Sequence, residues 1–125
     1  MNLPDIQPNN IRKFLNKEEI IFETVEQIKK DFRMFGVEIH FSGNIDGAYN
    51  ELLEQLVDQV GTLLINKTEL LMSVLYQVDI SQKDIARAHT EFPNYTDVEV
   101  IAHQIIFRDL KKVLFKRYFK SKSAE

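Results

Sequence analysis

The stretch LLMSVLYQVDISQKDIARA, residues 70–88, decides how this chain is read. An apolar run passes through Tyr76, breaks at Asp79, and resumes as a charged pattern of helical period. Ser81 is followed three residues later by Asp84, the S-x-x-[DE] start of a helix. VDIS is therefore expected to be a corner between two helices. Val78 and Ile80 anchor it, and Asp79 is free to make turn hydrogen bonds.

Helical periodicity extends in both directions. Upstream, Ile21, Val25, Ile28, Phe32 and Phe35 recur at spacings of four and three, which predicts a helix over 17–35. Asn16 with Glu19 reads as its start and Gly36 as its end. VEIHF, residues 37–41, alternates apolar and polar with period two, and predicts a short extended segment with Val37, Ile39 and Phe41 inward. With no second strand candidate it is expected to be a connector, or to pair with a copy of itself. A turn over Gly43–Gly47 leads into a helix over 47–65, with Gly61 inside it read as a point of close helix approach. Asn66 with Glu69 reads as the start of the next helix, which runs to Val78. Downstream, the helix from residue 82 ends near Thr90, before Phe92-Pro93. Thr96 with Glu99 opens a last helix over 97–119. The expected fold is all-α, a bundle of about five helices with one short extended segment near 37–41. Residues 1–9 are expected to be a flexible or loosely docked arm, 10–120 one helical domain, and 121–125 a disordered tail.

At 125 residues the chain fits one domain with its own core. Only 4 glycines and 3 prolines agree with helices rather than turn-rich β structure. No cysteine is present, which excludes disulfide and thiol chemistry and fits a reducing compartment. No apolar run reaches the roughly 18 residues of a membrane span, and the first residues lack the pattern of a signal peptide. A cytoplasmic protein is expected.

The segments LYQVDISQKDI, residues 75–85, and VIAHQIIFRDLKK, residues 100–112, resemble a set of small bacterial proteins. Those carry an L-Y-R-hydrophobic-D-hydrophobic-x-E-K corner and a late A-x-x-I-I-x-R helix. The resemblance spans about residues 50–120, implies an all-helical fold, and brings no activity with it. Gln77 stands where that pattern has Arg, and Gln82 where it has Glu.

Searches for chemistry end without a site. Ser42, Asn44, Asp46 and Gly47 imitate the start of a calcium loop, but its twelfth position is Leu53, not the bidentate Glu. His103 follows Glu99 by four residues, two ligands where zinc needs three or four, and His40 and His89 lie on other elements. Ser42, Ser73 and Ser81 lack a nucleophile-elbow context. Glu51, Glu54 and Asp58 have the spacing of a solvated helix face. No catalytic residue, metal site or cofactor is expected, and no enzyme.

Two patterns remain. The last helix carries one apolar stripe of Val98, Ile101, Ala102, Ile105, Ile106, Leu110 and Val113, and a second of Val100, Phe107, Leu114 and Tyr118. A helix apolar on two sides is central in its bundle or shared with another chain. The expectation drawn from it is a homodimer or other protein contact through Val100, Phe107, Leu114 and Tyr118, with the 37–41 segment as an accessory part of that surface. The net charge of −3 also hides an asymmetry. Residues 108–125 hold seven basic side chains against two acidic ones, a net of +5, so the rest carries −8. In KKVLFKRYFKSKS, residues 111–123, the cations interleave with aromatics. The rival expectation is binding of nucleic acid or another polyanion through Lys111, Lys112, Lys116, Arg117 and Lys120.

Overall fold

Six helices account for the regular structure in a computed structural model that describes residues 3–124, with side chains described for 3–122. They are α1 (Ile11–Phe14), α2 (Glu18–Arg33), α3 (Ala48–Asn66), α4 (Thr68–Val78), α5 (Gln82–Glu91) and α6 (Asp97–Ala124). The all-α bundle is as the periodicity predicts, with no strand among the described residues. The one-turn α1 adds to the five expected helices. Ile11 is its buried residue.

Two apolar stripes place α6 at the centre. It packs against α2, α3, α4 and α5, and every residue from Val100 to Phe107 is buried. The last helix is thus shared among its own chain's helices. Val100 is 0 % exposed and Phe107 6 % exposed, so neither is available to a partner, which corrects the expected contact stripe at those two positions. Leu114 and Tyr118, farther along α6, are half-buried.

The corner at Asp79 is a helix stop. Asp79 adopts φ +70° and ψ +50°, the sole positive φ outside glycine among the described residues. Its N–H donates to the Tyr76 carbonyl and the Ile80 N–H to the Leu75 carbonyl. This is a Schellman ending with Asp where Gly is usual, and buried Ile80 and Leu75 make the accompanying apolar contact. Two residues on, Ser81 and Asp84 form the complete reciprocal capping box that opens α5.

Thr96 and Glu99 cap α6 in the same reciprocal way. The other two start signatures fail. The N-caps of α2 and α4 are Lys17 and Lys67, with no side-chain cap bond, and Asn66 is the last residue of α3. In both cases the helix begins two residues beyond the capping residue the pattern proposes.

Residues 37–41 run extended as a connector with Ile39 buried. At His40 its backbone pairs with a side chain of α3. The His40 N–H donates to Gln55 Oε1 (2.7 Å) and Gln55 Nε2 donates to the His40 carbonyl (2.6 Å).

The N-terminal arm is docked. Ile6 is buried, and the Pro8 carbonyl accepts a 2.6 Å hydrogen bond from His103 Nε2. At the other end α6 continues to Ala124, so the expected disordered tail is helical through that residue. Met1, Asn2 and Glu125 lie outside the described residues.

Gly61 does not mark a close approach. A methyl group added there would meet nothing within 4 Å. Gly61→Ala should therefore raise unfolding stability by about 1 kcal/mol through helix propensity alone. Urea unfolding with an unchanged m-value checks this, and a loss of stability would show that the site is crowded.

Candidate functional site

The basic end of α6 does not stand free. α2 lies antiparallel to it, as the cross-helix pairs Lys112–Asp31 and Arg117–Glu23 show. Between the two helices runs an open groove of about 1050 Å³. α6 contributes Lys112, Lys116, Arg117 and Lys120, and α2 contributes Lys30 and Arg33. Only Glu23 and Glu26 oppose these six cations along the lining. Lys112, Lys116 and Lys120 recur every four residues, one row with a rise of about 6 Å per step.

The cations are unequally occupied. Arg117 makes a two-pronged bridge to Glu23, with Nε donating at 2.8 Å to Oε2, and approaches Glu19 at 3.9 Å. That hydrogen bond, with the charge of Arg117, outweighs burial and holds the Glu23 carboxyl below its ordinary range. Lys30, Arg33, Lys116 and Lys120 make no ion pair among the described residues. Phe22 lies at the Glu23 end of the groove, 41 % exposed, and packs edge-on against Phe41 at 5.7 Å between ring centres.

Beneath the groove is a buried acidic pair. Asp31 of α2 and Asp109 of α6 are 1 % and 0 % exposed. Asp31 accepts from Gln27 Nε2 at 3.1 Å and from Lys112 Nζ at 3.3 Å. The same ammonium donates to the Gln77 carbonyl at the end of α4, at 3.4 Å. It lies 3.3 Å from Asp109 Oδ1 but is not aligned to donate, so neither oxygen of Asp109 has a hydrogen-bond donor. Burial first, and then the facing Asp31 carboxyl, pushes Asp109 well above the ordinary carboxylate range, against the pull of Lys112. A proton on Asp109 removes the buried charge and gives the side chain a donor toward Asp31.

Of the five polyanion-binding candidates, Lys112, Lys116, Arg117 and Lys120 line the groove. Lys111 lies instead over the rings of Phe107 and Phe115. Lys30, Arg33, Phe22 and the Asp31–Asp109 pair were missing from the sequence reading. The run of Lys29, Lys30 and Arg33 at the end of α2 was the available signal, but only tertiary packing brings it opposite the last helix.

The other candidates have structural duties. His103 is caged by Tyr49, Phe92 and Tyr95. Its Nε2 donates to Pro8, so the neutral ring's Nδ1 accepts from the Tyr49 hydroxyl at 2.7 Å. Burial lowers its pKa against the opposing effect of the Pro8 bond. Its partner in the zinc-like spacing, Glu99, caps α6. Ser42, from the calcium-like loop, is held by Glu51 through its N–H and hydroxyl. On α5, burial opposes ionisation of Asp84, but bonds from Ser81 and Arg108 prevail and hold it below the ordinary range.

No family model matches this chain, and no curated protein or solved structure matches it. The likeness to small bacterial helical proteins rests on residues 75–85 and 100–112 alone, and the functional reading comes from the groove.

Asp109 offers a direct test of the buried pair. Its folded pKa is raised above the unfolded value of about 3.9. The stabilising effect of its proton is therefore complete below that value and lost as pH rises through the folded pKa. Asp109→Asn cannot ionise and keeps a donor for Asp31. It should be more stable than wild type by about 1–3 kcal/mol at pH 8.5, with the advantage gone near pH 4. Urea unfolding at the two pH values measures it. An equal difference at both would mean that Asp109 does not titrate between them.

Proposed function

We infer that this is a binding protein whose α2–α6 groove takes a phosphate-bearing single strand of nucleic acid. One observation carries the reading. Two helices far apart in sequence bring six cations to one groove and oppose them with two carboxylates. The acidic remainder of the chain repels a polyanion, so the contact is confined to the groove. The row of Lys112, Lys116 and Lys120 suits a linear run of charges. The partly exposed ring of Phe22 puts an aromatic side chain at one end. The reading assigns no reaction. The lack of cysteine supports a cytoplasmic setting; the structure itself contributes that no described helix is long and apolar enough to cross a membrane.

Fluorescence anisotropy with a labelled 12-nucleotide single-stranded DNA tests this. Contact with about four phosphates should give a slope of log K against log salt near −3. Lys116→Glu with Lys120→Glu should weaken binding at least about tenfold. Absence of binding at 50 mM salt, or binding indifferent to salt, would sink the reading.

Protein contact, including a homodimer, is the second reading. What favours it is no longer the buried part of α6 but the exposed apolar side chains Ile65, Met72 and Tyr76, which are 82 %, 47 % and 87 % exposed. Light scattering over a concentration series should then report a dimer at both low and high salt. A constant monomer mass would rule out self-association.

A further inference from the structure

Lys112 faces two ways. Its side chain lines the groove and is 35 % exposed, while its ammonium is held from below by Asp31, Asp109 and the Gln77 carbonyl. A phosphate lying along the Lys112–Lys116–Lys120 row would compete with that buried pair for the same ammonium. The pair cannot lose its cation unchanged. Two carboxylates face each other in the interior, and Asp109 has no hydrogen-bond donor even with Lys112 in place. Without Lys112 the Gln27 amide is the one remaining donor to Asp31 in this cluster, and a second negative charge would stand uncompensated at great cost.

We propose that Lys112 is the moving part of a proton-linked binding site. When a phosphate enters the groove, the Lys112 ammonium turns from the carboxyl pair to the ligand, and a proton binds Asp109 in its place. The balance is simple. Lys112 keeps its three protons throughout, no covalent bond between heavy atoms changes, and the proton comes from buffer. Binding is then accompanied by proton uptake, and affinity falls as pH rises.

The neighbours of Asp109 support a local origin for this linkage. From α2 the charged group acting on it is Asp31, and from α6 it is Lys112. From α4 the Gln77 carbonyl accepts from the same Lys112 ammonium. Arg108, the residue before it on α6, is engaged by Asp84 of α5 at 3.0 Å. Farther along the groove, Lys30, Arg33, Lys116 and Lys120 add positive charge toward a phosphate and lie outside the Asp31–Asp109–Lys112 cluster.

The proposal rests on the groove reading, and its test separates the two. The probe is the same 12-nucleotide single strand made without a terminal phosphate, whose phosphodiesters do not titrate near neutrality. Its affinity is measured at constant salt from pH 6 to pH 8.5. The expected result is a loss of about three- to tenfold across that range. Calorimetry in two buffers of different ionisation enthalpy should show net proton uptake within it. Asp109→Asn should flatten the profile and abolish the buffer dependence. Lys112→Gln, which removes the cation that moves, should do the same while Lys116 and Lys120 keep the strand bound, so a folding defect in one variant leaves the other decisive. Binding by the wild type with a flat profile and no uptake would overturn the linkage and leave the groove reading intact. A pH dependence that survives in both variants would overturn it too, by placing the titration elsewhere. No binding by the wild type at any pH would overturn the groove reading and the linkage together.

Discussion

The fold depends on burying the middle of one helix on every side. From Val100 to Phe107, α6 has no face in water, so α2, α3, α4 and α5 are arranged around it. Such a helix cannot carry a polar side chain casually, because each must find its partner within the protein. His103 illustrates a solved case. One ring nitrogen engages the Tyr49 hydroxyl and the other the Pro8 carbonyl, and the same bond ties the N-terminal arm to the core. Asp109 illustrates an unsolved one. It is as deeply buried as the isoleucines beside it, and it faces another acid with no donor on either oxygen.

Much of this architecture is legible in the sequence because it follows from periodicity and turn chemistry. The 82–91 and 97–124 helices open on capping boxes whose residues are fixed in spacing. The corner at Asp79 is likewise local: one residue in the left-handed region, with apolar anchors on both sides. Where the reading failed, the deciding term was tertiary. Nothing in Asn16 or Asn66 says that packing will start their helices slightly later. The two stripes of α6 leave open whether their cover comes from the same chain or another. Periodicity describes how much surface a helix must hide, but not what hides it.

The candidate site was half legible for the same reason. A cluster of cations in the last helix is visible as a run of letters. Its opposite wall, Lys30 and Arg33, lies some eighty residues away and looks like the ordinary basic end of α2. Asp31 and Asp109 are harder still to see. Each occupies a helical position that continues an apolar stripe, and each reads as a stray surface carboxylate until the two helices are brought together.

The groove's α6 wall is made of two kinds of residue, and they do not share the same evolutionary freedom. Lys116 and Lys120 project from exposed positions, and their replacement disturbs nothing beneath. Lys112 is bonded into the interior through Asp31. A lineage could therefore drift in the charge, length or selectivity of the outer wall while the inner position stays bound to the packing of three helices. The packing therefore constrains the middle of α6, whereas its end answers only to the ligand.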